Sequence, residues 1–370
     1  MRKIRYAVVG LGNITQDAFL PAFKNAKNSE LTALVSGDKK KSGELAKRYR
    51  LDPSSTYGYD EYDECLKSGK VDAVYIGLPN HLHGDYTVRA AKAGIHVLCE
   101  KPMAVDEREC KRMIAACEDA SVKLMIAYRL HFEEANLDAI ETVTSGQLGD
   151  PRIFSSTFSQ QVTEDNVRLT EPESRGGGPV FDMGVYCINA ARYLFRDEPI
   201  EAIAAAANNG EIRFRENPEM TSVILRFPNE RLATFFCSFG AASASEYSLI
   251  GTRGWLRLAP AYDFHKPLAS ELILDGKPPR RKKYAKHDQF GAELMYFSDC
   301  ILKNRKAEPS GEEGLADIRV VQAILESARA RTPVRLAPPE KRKRPGKSQE
   351  IKKPAVKAPK LINAAKPSAR

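Results

Sequence analysis

The sequence predicts an α/β protein with an N-terminal doubly wound parallel sheet and a second, α+β domain whose open sheet is mostly antiparallel. Strand and helix patterns alternate up to about residue 127, as in parallel sheets that are covered by helices on both faces. From about residue 150, strand patterns predominate instead. The first strand also runs directly into a glycine turn and a helix. A chain of 370 residues has room for about two such domains.

The N-terminal half alternates strand patterns with helical ones. The predicted strands are 4–9, 31–36, 72–77, 95–99 and 123–127, and the predicted helices are 14–27, 39–49, 82–93 and 106–119. Pro79 and Asn80 follow the third strand, and the sequence EKP (100–102) follows the fourth. Both segments therefore lie at carboxyl ends of strands, where open α/β sheets bind ligands.

The turn after the first strand is the most specific local feature of this half. An apolar strand pattern ends in the sequence GLG, and an amphipathic helical pattern follows at once. Gly10 would permit the tight turn and Gly12 would let a phosphate approach the backbone, with Asn13 and Ile14 at the helix N-terminus. Thr15 stands where this fingerprint usually has its third glycine. The turn predicts a dinucleotide-binding domain of the Rossmann type.

The end of the second predicted strand bears on the choice of nicotinamide cofactor. Domains that bind NAD usually have an Asp or Glu there, about 20 residues past the glycine turn, which binds the ribose 2′-hydroxyl. This position is Ser36, which cannot repel a 2′-phosphate, and Lys39–Lys41 follow it. We therefore expect NADP rather than NAD. Two alternatives stay open: Asp38 binds the ribose, or the lysines only form a solvated first helical turn.

The second half of the chain is richer in strands. The predicted strands are 152–162, 200–208, 220–227, 232–239, 245–251 and 254–258, and the predicted helices are 180–195, 290–303 and 313–330. We expect a dinucleotide-binding domain at 1–128, a substrate and oligomerisation domain at 129–336, and a tail at 337–370.

The C-terminal tail carries the net positive charge of the chain. The formal net charge is +9, and residues 340–370 hold eleven Lys or Arg and two acids, so the remainder is close to neutral. The tail is rich in Lys, Pro and Ala and poor in apolar residues, so we expect it to be disordered. A weak electrostatic contact between the tail and nucleic acid or another acidic surface is an alternative role.

Cysteine usage and hydropathy predict a cytoplasmic protein. The seven cysteines are scattered, with no CxxC pair and no Cys/His spacing typical of zinc, so we expect free thiols and no metal site. No run of about 18 apolar residues predicts a membrane-spanning helix. The first strand begins within the first few residues, so we expect no signal peptide.

Two segments carry candidate catalytic groups. Lys101 of the sequence EKP would lie at the carboxyl end of the sheet, where an ammonium group can stabilise a developing alkoxide. In GGGPVFDMGVYCIN (176–189), helical spacing places Asp182, Tyr186 and Asn189 on one face. Polar groups on one buried face are costly unless they bind something. The alternative is that Asp182 only favours the helix dipole and Tyr186 packs in the core.

Six segments together carry a resemblance to a known family: GLG (10–12), VYIGLPNHLH (74–83), CEKPMA (99–104), AYR (127–129), GGGPVFDMGVYCINAARYL (176–194) and PSGEEG (309–314). With these segments the chain resembles the Gfo/Idh/MocA oxidoreductase family, and most closely its glucose–fructose oxidoreductase branch. The resemblance covers roughly residues 3–336.

The resemblance implies a Rossmann domain, a second domain whose open sheet often mediates dimer formation, bound NADP, and a sugar or polyol substrate. The positions that surround the adenosine 2′-phosphate are Ser36, Lys41 and Tyr59. The positions along the rest of the cofactor are Leu78, Pro79, Asn80, His83, Glu100, Lys101 and Arg129. The active-site group is Lys101, Asp182 and Tyr186. Many other members of the family have His in place of Tyr186, whereas the branch has Tyr.

The chain departs from the branch in two places. The best-known members of the branch have an export signal and an N-terminal arm that helps to enclose NADP, whereas this chain begins at the first strand. Permanent retention of NADP is therefore not implied, nor is a dismutation of glucose and fructose. Residues 161–175 also differ from the branch around Arg168, which we expect to be a substrate-binding residue.

The resemblance implies hydride transfer between a carbinol carbon of the sugar and C4 of the nicotinamide. Tyr186 would exchange the proton of the sugar hydroxyl. The ammonium group of Lys101 would stabilise negative charge beside it, and Asp182 would orient Lys101 or the sugar hydroxyls. Two other functions stay open: an NAD-dependent glycosidase that oxidises its substrate transiently, and a catalytically silent NADP-binding sensor. We expect a homodimer or homotetramer that forms through the second-domain sheet.

Overall fold

The computed structural model describes residues 2–164, 166–337 and 344–365. Its strands are β1 (Ile4–Val9), β2 (Ser29–Val35), β3 (Thr56–Tyr57), β4 (Ala73–Ile76), β5 (His96–Cys99), β6 (Leu124–Ile126), β7 (Pro151–Ser159), β8 (Glu201–Ala207), β9 (Met220–Phe227), β10 (Arg231–Ser238), β11 (Ala244–Gly251), β12 (Gly254–Leu258), β13 (Ala269–Leu274), β14 (Arg280–Lys283) and β15 (Val334–Arg335). Its α-helices are α1 (Leu20–Ala22), α2 (Lys39–Tyr49), α3 (Tyr62–Lys67), α4 (His83–Lys92), α5 (Glu107–Asp119), α6 (Glu134–Thr144), α7 (Val167–Thr170), α8 (Val185–Phe195), α9 (Gln289–Leu302) and α10 (Gly311–Ala330).

The first sheet has six parallel strands in the order β3-β2-β1-β4-β5-β6. This is the strand order of a Rossmann fold, and it confirms the predicted doubly wound parallel sheet. The central strand β4 is buried along its whole length, as expected for a sheet that is covered on both faces. The strand order reverses between β1 and β4, so a ligand site is expected at the carboxyl ends of these two strands.

Contacts divide the chain into two compact units, and the first is not continuous in sequence. It contains the described residues up to Arg129, Asp288–Leu315, and the described residues from Lys352 onward. Helix α9 belongs to it because Ser298 Oγ is hydrogen-bonded to Tyr6 Oη (2.8 Å) and to Ser29 Oγ (2.7 Å). The structure thus differs from the sequence prediction, which assigned 288–315 to the second domain because that segment follows it in the chain.

The second unit is built on a nine-stranded sheet in the order β14-β13-β12-β11-β7-β10-β9-β8-β15. Its neighbouring strands are antiparallel except for β7 and β10, which are parallel. The predicted open, mostly antiparallel sheet is therefore confirmed. The sequence analysis missed β13, β14 and β15. Strand β14 has the sequence RRKK, with every side chain exposed, so it lacks the apolar alternation by which a strand is recognised.

Residues 344–365 lie along the protein, whereas the sequence predicts a tail without fixed structure. Lys347 is paired with Asp138, and several backbone groups of the segment are hydrogen-bonded to the first unit. These bonds join residues far apart in sequence, so the composition of the tail alone does not reveal them. The predicted disorder of 338–343 and 366–370 concerns residues outside the described ones.

All seven cysteines are buried thiols without a disulfide. Among the described residues, no helix combines the length and the apolar character that a membrane crossing requires. No group of three or more His, Cys, Asp or Glu side chains in the described ranges is placed to hold a metal ion.

Candidate active site

The glycine turn after β1 has the geometry of a phosphate-binding turn. Gly10 has φ of +87°, and a Cβ at this position would lie 2.5 Å from the carbonyl oxygen of Gly77, so only glycine fits. A Cβ on Gly12 would meet nothing within 4 Å, so the backbone here is open to a ligand. Asn13 and Ile14 are half-exposed in the first helical turn, whose N–H groups lack partners within the helix. The turn thus fits a dinucleotide pyrophosphate.

Gly77 explains how the turn accommodates Thr15 in place of a third glycine. Thr15 is fully buried and begins a π-helical turn, Thr15–Phe19, that leads into α1. A Cβ on Gly77 would lie 2.7 Å from Thr15 Oγ1, and Gly77 N donates a hydrogen bond to Val9 O at 2.8 Å. The space usually left by the third glycine is therefore provided by a glycine after β4.

The predicted 2′-phosphate residues lie together at the end of β2. Ser36 is buried, and its Oγ accepts a hydrogen bond from Asp38 N at 3.2 Å. The Tyr59 ring lies 3.2 Å from where a Cβ on Gly37 would be, so it covers this end of the strand. Lys41 is half-exposed in the first turn of α2. The structure therefore brings Ser36, Lys41 and Tyr59 to one place.

Asp38, which the sequence analysis left open as a ribose-binding residue, has a structural role. It is the N-cap of α2, where its Oδ1 accepts the Lys41 N–H at 2.9 Å. Its Oδ2 accepts a hydrogen bond from Asn363 Nδ2 at 2.6 Å. The bonds from the Lys41 N–H and from Asn363 lower the pKa of the Asp38 carboxyl. Both of its oxygens are therefore engaged within the protein.

His83 joins the loops that follow β4 and β5. Its ring is fully buried, with Nε2 at 2.9 Å from Leu78 O and Nδ1 at 3.0 Å from Pro102 O. Burial lowers the pKa of His83, which favours the neutral ring. Leu78 also lies beside Gly10, and Pro79 and Asn80 follow it in the loop. The ring therefore lies between carbonyl groups of the two loops, and in its neutral form it donates to one of them at a time.

The segment EKP lies beside a buried carboxylate and a buried arginine. Glu100 Oε1 accepts a hydrogen bond from Tyr75 Oη at 2.7 Å, and Glu100 Oε2 accepts one from Lys101 N at 3.1 Å. Burial raises the pKa of Glu100, and the nearby charge of Lys101 opposes that effect. Arg129 is also buried, and it is hydrogen-bonded to Gln289 at the start of α9. These contacts fix the backbone that carries Lys101.

Glu293 on α9 is a buried acid that the sequence analysis did not identify. Its side chain is fully buried, and neither carboxyl oxygen has a hydrogen-bond partner among the described residues. Burial raises its pKa well above the usual range, and the charge of Glu100 adds to this effect. The neutral acid is therefore favoured. No local sequence signal identifies Glu293, because its neighbours in space lie about 165 to 195 residues earlier in the chain.

The loop before the helical stretch that carries Asp182 and Tyr186 depends on three glycines. Gly176 and Gly178 have φ of +85° and +93°, and a Cβ on Gly177 would lie 1.9 Å from the carbonyl oxygen of Glu171. Gly178 N donates to Arg168 O at 2.9 Å. The run GGG thus folds the 166–175 loop back onto the helix start, which places Arg168 there.

Asp182 and Tyr186 lie on one continuous helical stretch, but it is not a regular α-helix. Val180–Gly184 forms a π-helical turn, and α8 follows it directly. Both side chains are half-buried, whereas residues 183–185 between them are buried. Arg168 Nε lies 3.2 Å from Asp182 Oδ1, with the Asp182 side chain only 14% exposed. Single π-turns within α-helices often occur at functional sites.

Tyr186 lies in an aromatic wall that the sequence analysis missed. Its ring is edge-on to Phe158 at 5.4 Å and tilted against Tyr262 at 5.8 Å. Asn189, which the helical spacing groups with Asp182 and Tyr186, is instead bonded to buried groups: its Oδ1 to His131 Nε2 (2.8 Å) and its Nδ2 to Asp317 Oδ2 (3.0 Å). Asn189 therefore anchors α8.

Both units match family models. Residues 4–128 match the model described as an oxidoreductase family with an NAD-binding Rossmann fold, named GFO_IDH_MocA. Residues 137–257 match the model of the GFO/IDH/MocA C-terminal domain.

Individual proteins match over nearly their whole length. D-xylose 1-dehydrogenase [NADP(+)] of Haloarcula marismortui is 31% identical over 339 residues, which cover 90% of this chain and 93% of that protein. Trans-1,2-dihydrobenzene-1,2-diol dehydrogenase of Homo sapiens is 26% identical over 330 residues, 85% of this chain and 94% of that protein. The crystal structure of aldose-aldose oxidoreductase from Caulobacter crescentus, complexed with glycerol, matches with a TM-score of 0.86 and 36% identity, covering 90% of this chain and all of that one. On these matches, the chain belongs to the Gfo/Idh/MocA family of oxidoreductases.

Proposed function

We propose that this protein is an NADP-dependent oxidoreductase that transfers a hydride between the nicotinamide and a carbinol or carbonyl carbon of a sugar or polyol. The observation that carries the proposal is the half-buried Asp182 and Tyr186 on one helical stretch, with Arg168 paired to Asp182. An acid and a phenol that remain partly accessible can bind and deprotonate a hydroxyl group.

The relatives support a sugar or polyol substrate and NADP. A xylose dehydrogenase named for NADP(+) and an aldose-aldose oxidoreductase crystallised with glycerol are both similar over about 90% of this chain. In the first unit, the openness of Gly12 and the positions of Ser36 and Lys41 fit a dinucleotide with a 2′-phosphate. NADP, when bound, would supply or accept the hydride at C4 of its nicotinamide.

Arg168, Asp182 and Tyr186 have separable roles in this proposal. The Arg168 guanidinium pairs with Asp182 and holds its carboxylate in place, so that the carboxylate can accept hydrogen bonds from substrate hydroxyls. As the phenolate, Tyr186 takes the proton of the reacting hydroxyl during oxidation, and its hydroxyl then returns that proton during reduction. Phe158 and Tyr262 hold the ring of Tyr186 in one orientation. The role of Lys101 rests on the family resemblance: its ammonium group would favour negative charge on the reacting oxygen.

An absorbance measurement near 340 nm tests the proposal. The purified protein is mixed with glucose, xylose or glycerol, first without added cofactor, then with NADP and finally with NAD. We expect sugar-dependent formation of NADPH after NADP is added. A signal with sugar alone identifies a tightly held cofactor and a dismutase. NADPH binding without any turnover of a broad sugar panel contradicts the proposal and favours the sensor or the glycosidase, which hydrolysis of aryl glycosides then distinguishes.

Ser36→Asp is expected to shift the cofactor preference from NADP towards NAD. A carboxylate at the end of β2 repels a 2′-phosphate and binds a free ribose 2′-hydroxyl, so the ratio of the two dissociation constants should change by about tenfold or more. Titration of protein fluorescence with NADPH and NADH measures it. Ser36→Ala is the matched control, since it removes the hydroxyl without adding charge. An unchanged ratio in Ser36→Asp contradicts this assignment of the site.

We also propose that a second copy of this chain covers one face of the nine-stranded sheet. Large apolar side chains are exposed there on five adjacent strands, and the strand register sets Ile250, Ile153 and Leu232 side by side, and Ile203 beside Ile224. An apolar patch that extends across several strands is typical of an interface between proteins.

The seven buried thiols support a reducing, cytoplasmic compartment.

Phe236→Asp is expected to dissociate this oligomer. Phe236 is 53% exposed on β10, and a charge in the centre of an apolar interface is costly to bury. Light scattering coupled to gel filtration should show a smaller species than the wild-type dimer or tetramer. Ile212→Asp is the control, because Ile212 is 67% exposed but lies in a 3₁₀ turn outside the sheet. An equal response of both variants would locate the interface elsewhere.

A further inference from the structure

Residues 352–365, the C-terminal strap, lie along the first unit and are bonded to it at several points. Near the start of the strap, Lys353 O accepts the Asp288 N–H at 3.0 Å, and Pro354 O accepts Asn25 Nδ2 at 2.8 Å. Farther along, Lys360 O accepts Arg48 Nη1 at 2.8 Å. Two prolines and few large side chains favour an extended chain in this segment.

The strap is bonded to the glycine turn through one buried side chain. Gln16 is fully buried, and its Nε2 donates both to Leu11 O inside the turn and to Ile362 O, each at 2.9 Å. Its Oε1 accepts the Ile362 N–H at 2.8 Å. The Gln16 amide thus pairs with the strap backbone as a neighbouring strand would, and it connects that backbone to the middle residue of the turn.

The strap also reaches the end of β2, where the 2′-phosphate residues lie. Asn363 Nδ2 donates to Asp38 Oδ2 at 2.6 Å, so Asp38 is held between the first turn of α2 and the strap. Asn363 has φ of +40°, a left-handed conformation that Asn tolerates better than most residues. The two contacts, at Ile362 and Asn363, are therefore adjacent in the strap and join the two parts of the expected adenosine site.

The charge of the strap suits the same ligand. Residues 352–365 contain four lysines and no acid. The Asp38 carboxylate at this edge is engaged by Asn363 and by the first turn of α2, so the positive charge of the strap favours an anion here.

We infer that the C-terminal strap is part of the cofactor site: it holds the turn and Asp38 in place around the adenosine diphosphate end of NADP, so that cofactor release is slow while the strap is docked. This inference rests on the proposed function. It assigns to Asn363 a role in cofactor specificity, because an Asp38 carboxylate released from Asn363 is free to repel a 2′-phosphate. In the glucose–fructose oxidoreductase branch, an N-terminal arm helps to enclose NADP. Here the strap, at the other end of the chain, would have that role.

Two single variants of the full chain test the strap. Asn363→Gly removes the amide and still permits a positive φ, and Ile362→Pro removes the N–H that Gln16 accepts. Ala358→Ser, at an exposed position of the same segment, is the matched control. Each protein is loaded with NADPH and mixed rapidly with excess NADP, and the loss of bound-NADPH fluorescence gives the release rate. The dissociation constants for NADPH and NADH are measured on the same samples.

We expect release about tenfold faster in both variants, with the control like the wild type. In Asn363→Gly the affinity for NADPH should fall more than that for NADH. Wild-type release rates in both variants, with melting temperatures unchanged, overturn the inference and leave the proposed function intact. Failure of the wild-type protein to bind either nucleotide overturns the proposed function itself, and the inference with it.

Discussion

Tyr186→Phe is expected to lower turnover of the sugar substrate by about 10²–10⁴ and to leave NADP binding unchanged. The substitution removes only the hydroxyl that holds the transferred proton, and the ring keeps its contacts with Phe158 and Tyr262. The loss should appear in kcat at saturating substrate, because the ring still fills its place. Steady-state kinetics measure turnover of the sugar that gives NADPH formation in the 340 nm assay. An NADPH titration measures cofactor binding.

Tyr262→Phe is the matched control for this experiment. Its hydroxyl is buried and lies 2.7 Å from Ser156 Oγ, so its removal should cost about 1 kcal/mol of stability and little turnover. The two variants thus separate proton transfer from packing. Wild-type turnover in Tyr186→Phe would remove Tyr186 from the mechanism, and an equal loss in both variants would point to a disturbed aromatic wall.

Glu198→Gln is expected to destabilise the second unit by about 3 kcal/mol at neutral pH. Arg192 on α8 is fully buried, and its Nε and Nη2 donate to the two carboxylate oxygens of Glu198 at 2.6 and 2.9 Å. Arg344 donates to the same carboxylate at 2.5 Å. The substitution leaves two arginines with only part of their compensating charge. Urea unfolding at pH 7 measures the difference in free energy.

The pH dependence of this difference has a defined direction. Burial alone would raise the pKa of Glu198, but the charges and hydrogen bonds of Arg192 and Arg344 lower it to about 2. A glutamate in the unfolded chain titrates near 4.5, so the carboxylate contributes stability above that pH and loses it as the pH falls towards 2. The difference between the pKa values of Glu198 in the folded and unfolded chain corresponds to about 3 kcal/mol of stability, at roughly 1.4 kcal/mol per pH unit.

The free energy of unfolding of the wild type should therefore exceed that of Glu198→Gln by a constant amount between pH 7 and 5. This difference should shrink at pH 4 and 3. Glu230→Gln is the control: Glu230 is paired with Arg226 at the surface, where such pairs contribute about 0–1 kcal/mol. A difference between wild type and Glu198→Gln that does not depend on pH would show that the titration of Glu198 does not determine stability.

The Rossmann half of the molecule was predictable because its signals are local. Alternating patterns and a glycine turn predict the doubly wound parallel sheet, and Gly10 occupies its position for the expected reason, a positive φ next to a close backbone contact. The grouping of Ser36, Lys41 and Tyr59 at one strand end came from the family resemblance, and the structure places these residues together.

What the sequence did not reveal depends on contacts that are distant along the chain. Asn189 is bonded to His131 and Asp317 in the interior, although its helical spacing groups it with Asp182 and Tyr186. Helix α9 joins the first unit through Ser298, about 270 residues or more from its partners. The sequence does not show that Gly77 makes room for Thr15, because the two residues meet only in the folded protein. Each of these depends on tertiary packing, which no local pattern encodes.

The path of the C-terminal strap bears on how the protein should be tagged for kinetic work. A tag or reporter joined after Arg370 would be only seven residues along the chain from Asn363, whose amide is bonded to Asp38 at the end of β2. At the other end of the chain, Arg5 is paired with Asp72, near the amino ends of β1 and β4. Because the strands are parallel, that edge of the sheet is opposite the glycine turn. An N-terminal fusion therefore leaves the nucleotide edge of the sheet unobstructed.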